Sequence, residues 1–130
     1  MHNYVSLAVA GFFDAFVEAF KTFDGAVIAA RYASPYTAIK SDGGHIHLGS
    51  PAETAGYFQE FLDDYYAKGC RACGYKWLEV APLNEGAFMA TVTWELYNSA
   101  GGVISSWRES YQLAYAGERL VVFASIDHAA

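Results

Sequence analysis

A chain of 130 residues has the length of one domain, and with 54% apolar and 17% aromatic residues it can form a hydrophobic core without disulfide or metal cross-links. This composition excludes a disordered chain. The net charge is −6 and the eight Lys and Arg residues are scattered, which argues against a nucleic-acid partner because phosphates would be repelled.

The chain begins with a predicted helix, from about Asn3 to Phe23. Its charged residues, Asp14, Glu18 and Lys21, form one narrow stripe, so the helix should be covered on most sides and lie across a sheet. No basic residue precedes the apolar run Leu7–Phe13, which therefore predicts neither a signal peptide nor a membrane span. We accordingly expect no membrane partner and a cytoplasmic protein with reduced thiols.

Turn and helix signals organise the next stretch. Asp24 is a suitable N-cap for a short second helix over Ala26–Tyr32, which Pro35 is expected to end. Tyr36–Ile39 and His45–Leu48 then read as a small hairpin around a turn-rich quartet.

A third helix and a long strand follow. Ser50 and Glu53 can form a capping box, so the helix is predicted from Pro51 to about Lys68, where Gly69 stops it. A strand is expected from about Cys70 to Val80. The remainder predicts a meander of three strands with tight turns between them, over Ala87–Asn98, Val103–Tyr115 and Arg119–Asp127.

Helices that precede a meander indicate an α+β domain covering residues 1–130. We predict a curved antiparallel sheet of four long strands plus a short hairpin, with three N-terminal helices packed on one face.

One carboxylate stands out on the predicted inner face of the meander. With tight turns, strand alternation places Glu109 among apolar and aromatic side chains and opposite Ala124. An acid in such surroundings is either partly desolvated, with a pKa raised toward the range of acid–base catalysis, or a satisfied core acid that accepts from a tyrosine or pairs with Arg31. The other residues predicted on this face are Phe88, Ala90, Val92, Trp94, Leu96, Trp107, Tyr111, Leu113, Tyr115, Leu120, Val122 and Ile126.

A pair of histidines in the predicted hairpin could bind a metal or carry a proton. His45 and His47 would project on the same side of a strand, but only Asp42 is near them as a third ligand, so we predict no metal. They are candidates for proton carriers at a cavity mouth, and the alternative is an exposed hairpin.

Cys70 and Cys73 lie at the start of a predicted strand and not at the start of a helix. This position indicates ordinary buried thiols and no redox pair.

The opposite face of the sheet has a mixed composition. It is too polar for a core and rather apolar for a solvated surface, so we predict a homodimer interface, with Glu95 and Arg108 as a possible cross-strand pair; plain solvent exposure is the alternative. The residues assigned to this face are Met89, Thr91, Thr93, Glu95, Tyr97, Ser106, Arg108, Ser110, Gln112, Val121 and Phe123.

The element order and several loose patterns resemble the nuclear transport factor 2-like superfamily, which includes SnoaL-like cyclases, ketosteroid isomerase and scytalone dehydratase. The patterns are Phe23–Tyr32, Ser50–Phe58, Trp107–Tyr111 and Gly117–Phe123. The resemblance implies a cone-shaped cavity between the sheet and a roof of helices, and dimers formed through the outer sheet face.

The chain departs from this superfamily at two positions that often carry chemistry. Many members place an acid in or just after the first short strand, where this sequence has Tyr36–Lys40 with Asp42 displaced into the turn. Relatives often carry histidines on the last strand, where this sequence has Ala124 and Ile126. No catalytic residue is therefore transferred from the resemblance, and function must be argued from the site.

The sequence thus predicts a homodimeric domain that binds a small apolar or aromatic molecule without a cofactor. If it is an enzyme, we expect an isomerase, cyclase or dehydratase in which Glu109 handles the proton and Tyr111, His45 or His47 orients the substrate. Residues predicted to contact the ligand are Tyr36, Tyr57, Trp94, Trp107 and Tyr111. The alternative is a non-catalytic ligand-binding or protein-interaction module, and a cavity filled by aromatic side chains would favour interaction.

Overall fold

The computed structural model describes residues 2–129, in three helices and six strands. Their order confirms the predicted α+β class, with the helices in the first half of the chain. The elements are α1 (His2–Phe20), α2 (Gly25–Ala29), β1 (Tyr32–Ile39), β2 (His45–Leu48), α3 (Pro51–Ala67), β3 (Cys70–Asn84), β4 (Ala87–Asn98), β5 (Val103–Ala116) and β6 (Arg119–Asp127).

Local capping interactions begin α2 and α3 where the sequence places them. The Asp24 side chain accepts from the Ala26 backbone N–H at 2.9 Å, and Ser50 Oγ accepts from the Glu53 N–H at 3.2 Å. Each cap satisfies a backbone donor that has no partner within its helix. At the other end of α3, Gly69 has φ +96°, a left-handed conformation that glycine adopts without strain.

Pro35, expected to end the second helix, and Pro82 both lie inside strands. Pro35 falls within β1, which begins at Tyr32 directly after the short α2, and Pro82 falls within β3. Since β3 is an edge strand, the N–H that Pro82 lacks is not needed for pairing on its open side.

The six strands form one curved sheet in the order β2-β1-β6-β5-β4-β3. All neighbours are antiparallel except β1 and β6, which run parallel. The predicted antiparallel sheet is therefore correct apart from this one pair. A parallel neighbour arises here because β1 and β6 come from opposite ends of the chain, so no hairpin dictates their relative direction.

The helix α1 lies against the inner face of the sheet and closes one end of the core. Phe13 is fully buried, and its ring centroid lies 5.8 Å from that of Trp94 and 5.4 Å from that of Tyr111. These are edge-to-face contacts, the arrangement that aromatic rings prefer. The helix is covered on one side only, however, because Tyr4 and Leu7, which carry no charge, are 78% and 70% exposed.

A β-bulge at Phe123 changes the face on which the end of β6 presents its side chains. Leu113 pairs with Val122, but the preceding residue Gln112 pairs with Ala124, which leaves Phe123 without an opposite residue. An extra residue reverses the alternation of a strand from that point onward. The prediction that Ala124 lies opposite Glu109 is wrong. The pairing of Leu113 with Val122 would by itself place Ile126 there, and the bulge places Asp127 there.

Beyond the bulge, the inner and outer residues of β6 are exchanged. Ser125 is buried at 4% exposure and lines the cavity, whereas Ile126, predicted to face inward, is 40% exposed. Asp127 is the residue that pairs with Glu109.

The outer face does not contain the predicted ion pair between Glu95 and Arg108. Arg108 lies opposite Thr93 and donates to Glu79 at 2.9 Å, whereas Glu95 accepts from Lys76 at 3.2 Å. Both charged groups thus reach across to β3 instead of to each other.

Within residues 2–129, no helix is long and apolar enough to cross a bilayer.

Candidate active site

A cavity of about 450 Å³ lies between the sheet and the helices, within the size range of small-molecule sites. Its walls come from α1 and α3 on one side and from the inner faces of β1, β4, β5 and β6 on the other. All five residues predicted to contact a ligand line it, namely Tyr36, Tyr57, Trp94, Trp107 and Tyr111. The cavity therefore has a strongly aromatic lining.

Two carboxyl groups meet on one wall of this cavity. Glu109 on β5 and Asp127 on β6 are directly opposite residues, both are partly buried, and both line the cavity. Side chains that are opposite each other across antiparallel strands have Cβ atoms roughly 5 Å apart. Two carboxylates at such a distance in a desolvated site do not both ionise readily, so the pair holds one proton near neutral pH.

The surroundings of Glu109 make it the member that carries the proton. Burial and the negative charge of Asp127 raise the pKa of Glu109 to about 8, although hydrogen bonds from Trp107 and Tyr111 act in the opposite direction. Burial also raises the pKa of Asp127, but a hydrogen bond from Glu109 and the charge of His128 limit that rise. The pKa of Glu109 thus lies above neutral pH, and its carboxyl is protonated there.

A chain of hydrogen bonds holds Glu109 in place. Trp107 Nε1 donates to Glu109 Oε1 at 2.9 Å, and these two residues share a face of β5 because they are two positions apart. Trp94 Nε1 donates to the Tyr111 hydroxyl at 2.7 Å, which leaves the proton of that hydroxyl free to bond the carboxyl of Glu109. The carboxyl is therefore oriented by rigid aromatic side chains.

Phenol groups supply the remaining polar surface of the cavity. The Tyr36 hydroxyl and Ser125 Oγ are 2.5 Å apart in a buried hydrogen bond. Burial and the charges of Asp127 and Glu109 raise the pKa of Tyr57 to about 12, and burial raises the pKa of Tyr65 above its usual range. These phenols therefore stay neutral and can donate hydrogen bonds to a ligand.

The alternative role for Glu109, a pair with Arg31, is wrong. Arg31 donates to the Phe12 carbonyl at 2.9 Å, and its guanidinium lies over the Phe12 ring, 4.4 Å from the centroid. This position lines a different cavity from that of Glu109. The other part of that alternative, a hydrogen bond from a tyrosine, is met by Tyr111.

The structure does not bring His45 and His47 to the site. Both are exposed and neither lines the cavity; His47 Nδ1 instead lies 3.0 Å from Thr37 Oγ1. The reason is register, because Leu48 pairs with Tyr36 on the inner side and the histidines alternate to the outer side. Among residues 2–129, no group of three or more His, Cys, Asp or Glu could hold a metal.

The two cysteines are free and buried. Burial raises the pKa of Cys73, which lines the cavity, to about 12. A thiol that stays protonated is a poor nucleophile, so Cys73 acts as part of the apolar wall.

Sequence reasoning missed Asp127, Ser125 and His128, which also lines the cavity. A signal for the first two exists in the sequence, because Ser125 and Asp127 are the polar members of the alternating end of β6. Val121, Val122 and Phe123, however, are consecutive apolar residues, and a run without alternation fits either orientation of a strand. The sequence therefore does not show that β6 changes face at this point.

A curved sheet roofed by helices is the architecture of the nuclear transport factor 2-like class. Residues 8–130 match the family described as NTF2-like protein (DUF6841), and the chain belongs to this family. A comparison with curated proteins finds no significant match by sequence.

Solved structures agree on the fold. Aln2 from a Streptomyces species superposes with a TM-score of 0.78 at 11% identity, over 97% of this chain and 91% of that one. An NTF-2 like protein of unknown function from Shewanella oneidensis MR-1 gives 0.75 at 14% identity, over 95% and 98%. A domain of unknown function with a cystatin-like fold from Nostoc punctiforme PCC 73102 gives 0.73 at 17% identity, over 96% and 76%. At these identities the likeness concerns the fold alone.

Proposed function

We propose that this protein binds a small, largely apolar or aromatic molecule in its cone and catalyses a proton transfer on it without a cofactor. The observation that carries the proposal is the pair of opposite carboxyl groups, Glu109 and Asp127, on the wall of an open aromatic cavity. The reaction class is isomerisation, cyclisation or dehydration, all of which need a base and an acid at nearby positions.

A pair that holds one proton can perform both halves of such a reaction. The ionised carboxylate, Asp127 in the resting state, accepts a proton from a C–H group of the substrate. The protonated carboxyl of Glu109 then donates its proton to another carbon in an isomerisation, or to a leaving hydroxyl group in a dehydration, which departs as water. The pair holds one proton before and after the reaction, so no external acid is consumed.

The aromatic walls have a separate task in this proposal. Tyr57 and Tyr65 on α3 donate hydrogen bonds to oxygen atoms of the substrate and orient it, and Trp94 and Trp107 form apolar walls beside it. Exclusion of water by these walls keeps the two carboxyl groups desolvated.

A non-catalytic ligand-binding module is the rival function. An interaction module with a filled cone is disfavoured, because the cavity is open and two polar groups converge on it. A ligand carrier would use the same walls but would not turn over a carbon acid.

The test uses a nitrobenzisoxazole, an aromatic carbon acid whose ring opens when a base removes its C–H proton. We expect saturable turnover by the wild type and a loss of about 100-fold in kcat/KM for both Asp127→Asn and Glu109→Gln. Glu60→Gln, which changes an exposed acid on α3, is the charge-matched control and should retain full turnover. Saturable binding of the probe without turnover would favour the carrier, and full turnover by Asp127→Asn would exclude the pair as the base.

A homodimer through the outer sheet face completes the proposal. Two large apolar side chains of β6, Phe123 and Ile126, are each 40% exposed. We expect native mass spectrometry to give the mass of two chains for the wild type and of one chain for Ile126→Lys. Leu83→Lys, at an exposed position on the edge strand β3, is the control and should remain dimeric.

A further inference from the structure

A second cavity, of about 550 Å³, lies outside the cone between α1, α2 and the hairpin that joins β5 to β6. About half of its wall is apolar, with Phe12, Val27 and Leu120 among the lining residues. Two guanidinium groups, those of Arg31 and Arg119, face the same space. Two of the eight basic residues of an acidic chain thus share one cavity.

Backbone carbonyl groups hold both arginines at this cavity. Arg31 Nη2 donates to the Phe12 carbonyl at 2.9 Å, and Arg119 Nη2 donates to the Ala30 carbonyl at 2.7 Å. Ala30 directly precedes Arg31, so the two side chains are anchored next to each other. Their positions are thus largely set before an anion binds, and only a small shift of Arg31 is needed to bring its buried Nε to the cavity.

Neither arginine of this pair forms an ion pair within the described part of the protein. The four ion pairs found in residues 2–129 involve other basic residues. Arg31 Nε is buried and has no hydrogen-bond partner within that range. Burial and the charge of Arg119 lower the pKa of Arg31, but a guanidinium remains charged at any physiological pH.

We propose that this second cavity binds an organic carboxylate, held between the guanidinium groups of Arg31 and Arg119, with its apolar part along α1 and α2. Guanidinium groups match the planar geometry of a carboxylate, and the unpartnered Arg31 Nε supplies a donor that would otherwise stay unsatisfied. The apolar wall favours a ligand that carries a hydrocarbon chain or ring.

Glu118 also lines this cavity and weakens the binding of any anion. With two arginines the net charge stays positive, so charge alone does not favour a carboxylate over phosphate. Phosphate, however, has no apolar part that could contact Phe12, Val27 or Leu120. A carboxylate with an apolar tail is therefore preferred over inorganic phosphate.

This inference does not depend on the proposed catalytic function. The cone contains an acidic pair, Glu109 and Asp127, which repels the same carboxylate that the second cavity attracts. Glu109→Gln should therefore leave binding at the second cavity unchanged, whether or not the cone proves to be catalytic.

The experiment is an NMR titration of the full-length protein with octanoate, in which the side-chain Nε–Hε signal of Arg31 reports on the site. We expect saturable binding that shifts this signal downfield, as a new hydrogen bond to a carboxylate would. Octanamide, the neutral matched ligand, acetate, which lacks the tail, and inorganic phosphate should each bind at least about tenfold more weakly.

Two variants separate the arginine pair from the net charge of the protein. Arg119→Gln should weaken octanoate binding by about tenfold or more. Arg71→Gln makes the same change of net charge at an exposed guanidinium, one that also donates to a backbone carbonyl and lies over an aromatic ring, and it should bind like the wild type. Glu118→Gln should bind more tightly than the wild type.

Three results would overturn the inference. Equal affinity for octanoate and octanamide would mean that the arginines do not recognise the carboxylate. Equal weakening by Arg119→Gln and Arg71→Gln would reduce the effect to net charge. Tighter binding of phosphate than of octanoate would assign the cavity to a different class of anion.

Discussion

Each of the two cavities of this protein brings together two side chains of like charge, negative in one cavity and positive in the other. The cone brings together two acids, Glu109 and Asp127, and the outer cavity brings together two bases, Arg31 and Arg119. Aromatic side chains surround the acid pair, whereas Arg31 is half-buried and Arg119 is exposed to water. The acids therefore repel each other more strongly than an exposed pair would, and water screens part of the repulsion between the arginines.

The difference lies in how each pair can relieve the repulsion. A carboxyl group can take up a proton, and the raised pKa of Glu109 indicates that this acid does so. A guanidinium cannot give up its proton in the accessible pH range, so the arginine pair can be neutralised only by an anion from outside. The acids are thus suited to moving protons, and the arginines to holding a ligand.

The largest expected effect is on how stability depends on pH. The pKa of Glu109 is raised from an ordinary value of 4.5 to about 8, so stabilisation from its protonated form is complete below about pH 4.5 and is lost as pH rises through about 8. The free energy of unfolding of the wild type should fall, relative to Glu109→Gln, by on the order of 3 kcal/mol between about pH 5 and pH 9. Urea denaturation at several pH values measures this.

A matched variant decides whether that pH dependence belongs to the acid pair. Glu60→Gln removes an exposed acid and should follow the wild type at every pH. If the curve of Glu109→Gln ran parallel to that of the wild type, Glu109 would not carry the proton.

A smaller effect is expected when the indole donor to Glu109 is removed. Trp107 Nε1 donates to Glu109 at 2.9 Å and lowers the pKa of that carboxyl, so Trp107→Phe should raise the pKa by about one further pH unit. The pH midpoint of nitrobenzisoxazole turnover, or the carboxyl ¹³C shift of Glu109, measures the change. Trp77→Phe alters a largely exposed indole outside the cavity and should leave the midpoint unchanged. An equal change in both variants would mean that the hydrogen bond from Trp107 does not lower the pKa of Glu109.

The smallest effect concerns the arginine pair in the absence of ligand. Salt screens the repulsion between Arg31 and Arg119, so added salt should stabilise the wild type relative to Arg119→Gln by about 0.5 kcal/mol. Chemical denaturation with urea at low and high salt gives this difference. Arg71→Gln should show no such difference from the wild type, and a salt response shared by both variants would mean that the two arginines do not interact.

Much of the fold could be predicted from the sequence, because the relevant signals are local. The capping box at Ser50 and the turn residues between the long strands set where α3, β4 and β5 begin. Alternation along β4 and β5 identifies their inner face, on which Glu109 stands among aromatic residues.

The rest of the candidate site could not be predicted, because it depends on how distant segments pair. The bulge at Phe123 is a property of the pairing between β5 and β6, and the sequence of β6 alone is compatible with either face. Likewise, the register of β2 against β1 turns His45 and His47 outward, although their spacing fits an inward pair equally well.

By itself, the sequence of this protein determined the helices, the long strands and the presence of one acid in an aromatic cavity, since hydrophobic periodicity and capping act over a few residues. Only the tertiary structure decided that Asp127 is the partner of that acid and that Arg31 meets Arg119 instead of Glu109. The physical reason is that a register shift of one residue exchanges the two faces of a strand at little local cost, and that contacts between distant residues are settled by the packing of the whole chain.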